Sequence, residues 1–130
     1  MIKTEIDELD FYFIHRFITK THWAMGRTEA EMLLCMKNSF NYGIFIRDEQ
    51  IGYARVVSDL VQFAYLMDVF IDEKFRGKGY SKILLEFIFN DKKLSGVKTW
   101  RLATNDAHGL YTQFGFKSLA HPEKMMELLR

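Results

Sequence analysis

One stretch of the sequence leaves the chain few choices. Residues 63–71, Phe-Ala-Tyr-Leu-Met-Asp-Val-Phe-Ile, are apolar at every position except Asp68, the pattern of a strand covered on both faces. The run ends in Asp72-Glu73-Lys74-Phe75-Arg76-Gly77-Lys78-Gly79. Helical spacing then takes over, with Ile83, Leu84, Phe87 and Ile88 on one side of a helix from about Tyr80 to Asn90. A buried strand that turns through glycines into a helix belongs to an α/β layered architecture.

The flanking sequence fits that architecture. Asp7 can cap a helix running to about Thr19, with Leu9, Phe13 and Phe17 on one stripe. Thr28-Glu29-Ala30-Glu31 is a capping box that opens a second helix to about Asn38. Tyr42 to Arg47 and Gln50 to Ser58 alternate as strands, and the polar turn at Asp48-Glu49 makes them an antiparallel hairpin. Trp100 to Thr104 is a further extended run, followed by a short helix from about Ala107 to Phe114 that Gly115 stops as a left-handed cap. Phe116 to Leu119 and Met125 to Leu129 are expected to supply two closing strands. No linker or repeat interrupts the 130 residues, so the expectation is one domain spanning 1–130.

Charge and cysteine content narrow the function. Eighteen basic against 17 acidic residues leave a net charge of +1, without the basic excess of a nucleic-acid binder. Cys35 is the one cysteine, which excludes an internal disulfide and a cysteine-built zinc site. No apolar run approaches the roughly 20 residues that span a bilayer, and the acidic opening residues hold no signal-peptide core. The expected compartment is the cytoplasm, with no metal, no nucleic acid and no membrane among the partners.

The loop after the long apolar run carries the chemistry. Glycines between a strand and a helix present backbone N–H groups at the positive helix terminus, an anion site suited to a phosphate or pyrophosphate. Gly77 and Gly79 allow close approach, while Arg76 and Lys78 add positive charge. A Walker loop requires glycine where Asp72 stands, and the dinucleotide pattern G-x-G-x-x-G fails at Lys82.

Val-Phe-Ile-Asp-Glu-Lys-Phe-Arg-Gly-Lys-Gly-Tyr-Ser, residues 69–81, resembles motif A of the GNAT superfamily of acyl-CoA-dependent N-acyltransferases, [QR]-x-x-G-x-[GA]. Arg76 and Gly79 match, and Ser81 replaces the final small residue. Ala-His-Gly-Leu-Tyr-Thr-Gln-Phe-Gly-Phe, 107–116, is similar to the family's A-x-x-L-Y-x-x-x-G-F segment, with Tyr111, Gly115 and Phe116 in register. The family's asparagine just before that segment is Thr104 here, with Asn105 one later. The resemblance implies a mixed, mostly antiparallel central sheet flanked by helices, its central strands splayed by a bulge. It implies acetyl-CoA as co-substrate, with main-chain contacts from Val69, Phe70 and Ile71 and a pyrophosphate cradle of Arg76, Gly77, Lys78, Gly79, Tyr80 and Ser81. The implied reaction is acetyl transfer to a primary amine of a small molecule or peptide, by direct attack in a ternary complex. The alternative is a CoA-binding or sensing domain without turnover.

Individual residues then divide. Tyr111 corresponds to the family's general acid toward the departing thiolate, and otherwise it packs its helix on the sheet. Asp68, alone in an apolar strand, is either a general base, a cap for neighbouring backbone, or the partner of Arg55 or Arg101. Tyr65 stands where some relatives keep a basic carboxylate. His22 and Trp23, in the loop between the first helices, either shape the acceptor pocket or anchor the loop. His15 and His121 read as surface or packing residues, and His108 as a residue near the CoA. An exposed edge strand near the C-terminus would allow pairing across a homodimer.

Overall fold

The computed structural model describes all 130 residues. Strand β1 (Ile2–Lys3) precedes helices α1 (Phe11–Ile18) and α2 (Glu29–Lys37), strands β2 (Phe40–Ile46), β3 (Glu49–Ser58) and β4 (Phe63–Ile71), helix α3 (Tyr80–Phe89), strand β5 (Thr99–Arg101) and helix α4 (His108–Thr112). The sheet order is β1-β2-β3-β4-β5, antiparallel up to β4 and parallel between β4 and β5. A parallel neighbour needs a crossover, and α3 supplies it.

Two apolar cores lie on opposite faces of the sheet. On one, Ile14, Ile18, Met32 and Met36 of α1 and α2 pack against Phe45, Tyr53 and Phe70. On the other, Leu84, Leu85 and Ile88 of α3 and Tyr111 of α4 pack against Tyr42, Ile44, Val56 and Leu66. Leu66 and Phe70 thus face opposite cores although four residues apart, where strict alternation would put them on one face. A bulge accounts for the reversal: the register steps from Arg55↔Met67 to Tyr53↔Phe70, so β4 carries one extra residue. Asp68 sits in that bulge with φ +54, a left-handed conformation uncommon outside glycine. Opposite the end of β4, Gly52 permits close contact, since a Cβ there would lie 2.7 Å from the Phe70 carbonyl oxygen.

The structure corrects several sequence expectations. Helix α1 is capped by Asp10, whose carboxylate accepts from the Phe13 amide, while Asp7 lies in a 3₁₀ turn at Ile6–Glu8. Burial of Leu9 and a 2.7 Å bond from the Asp10 amide to Gln50 Oε1 set that entry point. The hairpin turn centres on Arg47-Asp48, with β3 already begun at Glu49. Strand β5 is only three residues long, because β4 diverges from it after Tyr65, and Leu102 to Thr104 have no strand to pair with.

Neither closing strand forms. Phe116 is held by its ring, against Phe89 and Tyr111, and Met125, Met126, Leu128 and Leu129 are exposed beyond a turn at Pro122–Lys124. An apolar alternating segment becomes a strand only where a neighbouring edge takes its backbone bonds. The capping box at Thr28, helix α3 and the positive φ of Gly115 (+94) stand as the sequence predicts.

Candidate active site

The divergence of β4 from β5 opens a cleft of about 990 Å³. Beyond Tyr65 no strand pairs with the β5 side of β4, so the edge of the strand turned away from β3 at 69–71 borders this cleft. Phe17 of α1 stacks on Phe70 at 3.9 Å between ring centroids, tying the first helix to this segment.

Below the strand end, Arg76, Gly77, Gly79, Tyr80 and Ser81 line the same cleft. Gly79 is the N-cap of α3, in the left-handed conformation at φ +84, and no side chain caps the helix. The first-turn amides of α3 therefore keep their donors free for an external acceptor. A Cβ on Gly77 or Gly79 would meet nothing within 4 Å, so open space rather than packing surrounds the loop. Arg76 folds back, its Nε donating to the Ile71 carbonyl at 3.0 Å, which fixes the loop against the strand it leaves. Lys78 lies outside the cleft wall, with its Nζ 6.0 Å from the Phe75 ring centroid.

Asp68 is not open to the cleft. Its side chain is fully buried, and Oδ2 accepts from Arg55 Nε at 2.6 Å and from Arg27 Nη1 at 2.7 Å, while Oδ1 accepts from Trp23 Nε1 at 3.0 Å. Burial would raise the carboxyl pKa, but the hydrogen bonds and charges of Arg27 and Arg55 outweigh it and hold the group below the usual carboxylate range. A carboxylate with three donors on two oxygens is a poor proton acceptor. Of the roles open to it, the geometry favours the ion pair, with Arg55 as expected and with Arg27 in place of Arg101.

Tyr111, on α4, lines the cleft as well. Its residue surface is 7% exposed, yet its hydroxyl is not a buried orphan and takes no partner from the protein. Burial, and then the negative charge of Asp106, push its pKa up to about 12. The phenol is therefore fully protonated at neutral pH, a hydrogen-bond donor without a protein acceptor.

Loop contacts across the cleft mouth carry no sequence signal. His22 Nε2 lies 3.1 Å from Asn105 Nδ2, linking the loop after α1 to the loop before α4. His15 Nε2 pairs with the Arg27 carbonyl at 2.7 Å, and Thr104 Oγ1 accepts from the Ala107 amide to start α4. Trp23 is half exposed and lines the cleft with His22, Lys20 and Met25. His108 lines a second cavity, of about 680 Å³, that Tyr111 also borders, and Tyr65 pairs with Arg101 outside the main cleft. His121 faces Glu123 on the exposed tail.

Comparison with known proteins agrees with this geometry. Residues 38–118 match the family model for the acetyltransferase (GNAT) domain. A Xanthomonas campestris pv. campestris crystal structure, of a protein assigned to the GNAT acetyltransferases, is 37% identical, with 100% of this chain covering 92% of that one at a TM-score of 0.96. Glucosamine-6-phosphate N-acetyltransferase from Arabidopsis thaliana shares the fold at 18% identity and a TM-score of 0.70, covering 100% of this chain and 96% of that one. A Clostridium acetobutylicum protein described as a predicted acetyltransferase, in a crystal structure with acetyl-CoA, does so at 14% identity and 0.70, over 99% and 96%. Among curated proteins none matches.

Proposed function

The chain belongs to the GNAT acetyltransferase family, and from that premise we propose that it transfers an acetyl group from acetyl-CoA to a primary amine by direct attack in a ternary complex. One observation carries the reading: the free edge of β4 at 69–71, the uncapped N-terminus of α3 and Tyr111 all border a single cleft. The residues present fit such a donor, since the free amides and open space at Gly77 to Ser81 suit a pyrophosphate.

In this reading the main chain of Val69, Phe70 and Ile71 binds the pantetheine arm as an added strand would, and orients the thioester. Arg76, Gly77, Gly79, Tyr80 and Ser81 hold the pyrophosphate, with Lys78 contributing charge from outside the wall. Backbone N–H groups beside the bulge polarise the thioester carbonyl. Tyr111 donates its hydrogen bond to the departing sulfur. With a pKa of about 12 against roughly 8.5 for a thiol, full proton transfer is uphill by about 5 kcal/mol, so the hydrogen bond supplies most of its contribution. Overall, the amine loses the proton that the thiolate gains. With Asp68 engaged, the proton acceptors that line the cleft are His22, Asp72, Glu73 and Asp106.

The acceptor is an amine of a small molecule or peptide, and the chain works without metal, nucleic acid or membrane. No helix is long and apolar enough to cross a membrane. The test is incubation with acetyl-CoA and a panel of amines while thiol release is followed. Release that depends on the amine is the expected result. Tight acetyl-CoA binding without release from any amine would return the sensing domain as the function.

A further inference from the structure

The Asp68 cluster does more than satisfy a buried charge. Arg55 approaches from β3, Asp68 from the bulge of β4, and Trp23 and Arg27 from the loop between α1 and α2. These contacts bridge 13, 41 and 45 residues of sequence, and they converge on one carboxylate. The next residue along, Val69, already borders the cleft, and so does Trp23. Asp68 therefore stands between the strand segment that faces the acyl donor and the loop that faces the opposite wall.

The Trp23 contact is the informative one. A half-exposed indole on a loop would ordinarily be free to swing, but its single donor is fixed at 3.0 Å to Asp68 Oδ1. The ring is presented to the cleft in one orientation while half of its surface stays accessible. A rigid aromatic face with its polar atom turned inward suits the apolar body of an acceptor, or its cationic head. Asp68 itself does not reach this space.

Resting on the acetyltransferase reading above, we propose that Asp68 is a positioning residue for the acceptor: through Trp23 Nε1 it sets the indole as one wall of the acceptor pocket, from the same bulge that aims residues 69–71 at the acyl donor. Its carboxylate takes no part in proton transfer. The distance between donor backbone and acceptor wall is then set by one side chain.

The experiment uses an amine that supports thiol release and two variants. Trp23→Phe keeps a ring on the wall and deletes the N–H; it is expected to raise the acceptor KM about tenfold, with kcat within about threefold and acetyl-CoA affinity unchanged. Asp68→Asn retains an oxygen for Trp23 but sets an amide against two arginines, so its ion pairs break and the indole loosens. It is expected to raise the acceptor KM similarly while leaving the shape of the pH–rate profile intact. In the double variant the two effects should not multiply, because both remove one latch. A merely structural role would lower the active fraction without moving KM. Wild-type acceptor KM in Trp23→Phe, multiplicative effects in the double variant, or loss of the acid limb of the pH profile in Asp68→Asn would each overturn the proposal.

Failure of the parent reading looks different: the wild type would then release no thiol with any amine. The comparison moves in that case to the Trp23 indole N–H resonance, identified with Trp100→Phe. Acetyl-CoA should shift it in the wild type and not in Asp68→Asn, and an unshifted wild-type resonance overturns the latch.

Discussion

The two neighbours of β4 treat it differently. Strand β3 follows it from Ser58↔Ala64 to Gly52↔Ile71, interrupted only at the bulge, whereas β5 pairs with it over Phe63 to Tyr65 and then leaves. On the β3 side, backbone groups are spent on the ladder and the side chains of Tyr53 and Val56 are fully buried. On the β5 side, backbone groups at 69–71 face a cleft. The same strand is thus paired along one edge and open to a cleft along the other. The bulge at Asp68 lies between the segment paired on both edges, 63–65, and the segment open on one, 69–71.

The largest effect is expected on the closed side. Asp68→Asn leaves Arg27 and Arg55 without their buried counter-charge, and losing one partner of a buried pair costs about 3–5 kcal/mol. The pH dependence has a definite sign. The carboxyl is held below its ordinary value in the folded protein, so its contribution is complete above the unfolded value, near ~3.9, and is lost as pH falls through the folded one. Urea melts should therefore show a large gap between wild type and variant at neutral pH that narrows in strong acid. A gap independent of pH would place the stabilisation elsewhere.

On the open side, Gly79→Asp is expected to weaken acetyl-CoA binding at least about 100-fold, or roughly 2.7 kcal/mol, by setting a carboxylate at the uncapped start of α3. Aspartate tolerates a left-handed φ better than most residues, and no protein atom crowds the position. The fold should survive, as circular dichroism would show. Calorimetry giving unchanged affinity would remove the loop from the binding site.

Tyr111→Phe should act on turnover and nothing else. Its hydroxyl has no protein partner to lose, so the melting temperature and acetyl-CoA affinity should match the wild type. A positioned acid is worth about 10²- to 10⁴-fold, and a phenol with pKa about 12 belongs at the bottom of that range or just below it. Steady-state kcat lowered about 10- to 100-fold is the expected result. Full activity would make Tyr111 a packing residue.

The contrast between the two edges also explains what could be read from the sequence. The capping box at Thr28 and Glu31 and the glycine turn before α3 are written within a few residues, so local pattern suffices. The bulge announces itself only as one acid in an apolar run. Its partners Arg27 and Trp23 lie 41 and 45 residues away, without periodicity to join them. Asp7 and Asp10 are equally good caps locally, and Gln50, 40 residues on, decides between them. Strand β1, two residues long, carries no pattern at all. Motif A and the 107–116 segment located part of the cleft, the turn from Arg76 to Ser81 and Tyr111, because those residues are tied to short motifs. The loops after α1 and before α4 meet through contacts such as His22 with Asn105, which no spacing rule encodes.

The smallest effect is expected where the edge is left open altogether. Met125, Met126, Leu128 and Leu129 are 54%, 96%, 76% and 80% exposed, and the outer edge of β5 has no strand beside it. Substituting or removing side chains that touch almost nothing changes stability by no more than about 0.5 kcal/mol. Truncation after Lys124 should therefore leave the melting temperature of the monomer within a few degrees and acetyl-CoA affinity untouched, since none of these residues borders the main cleft. The outcome also tests the homodimer that the sequence would allow. If the tail of one copy completes the edge of another, four apolar side chains become buried, worth about 1.5–3 kcal/mol each at full burial. Truncation would then lower the melting temperature by many degrees, and the wild-type value would rise with protein concentration. Sedimentation of the two chains side by side separates the cases: equal monomer masses mean an edge left to solvent, and a dimer that the truncation dissolves means an edge closed by a second copy.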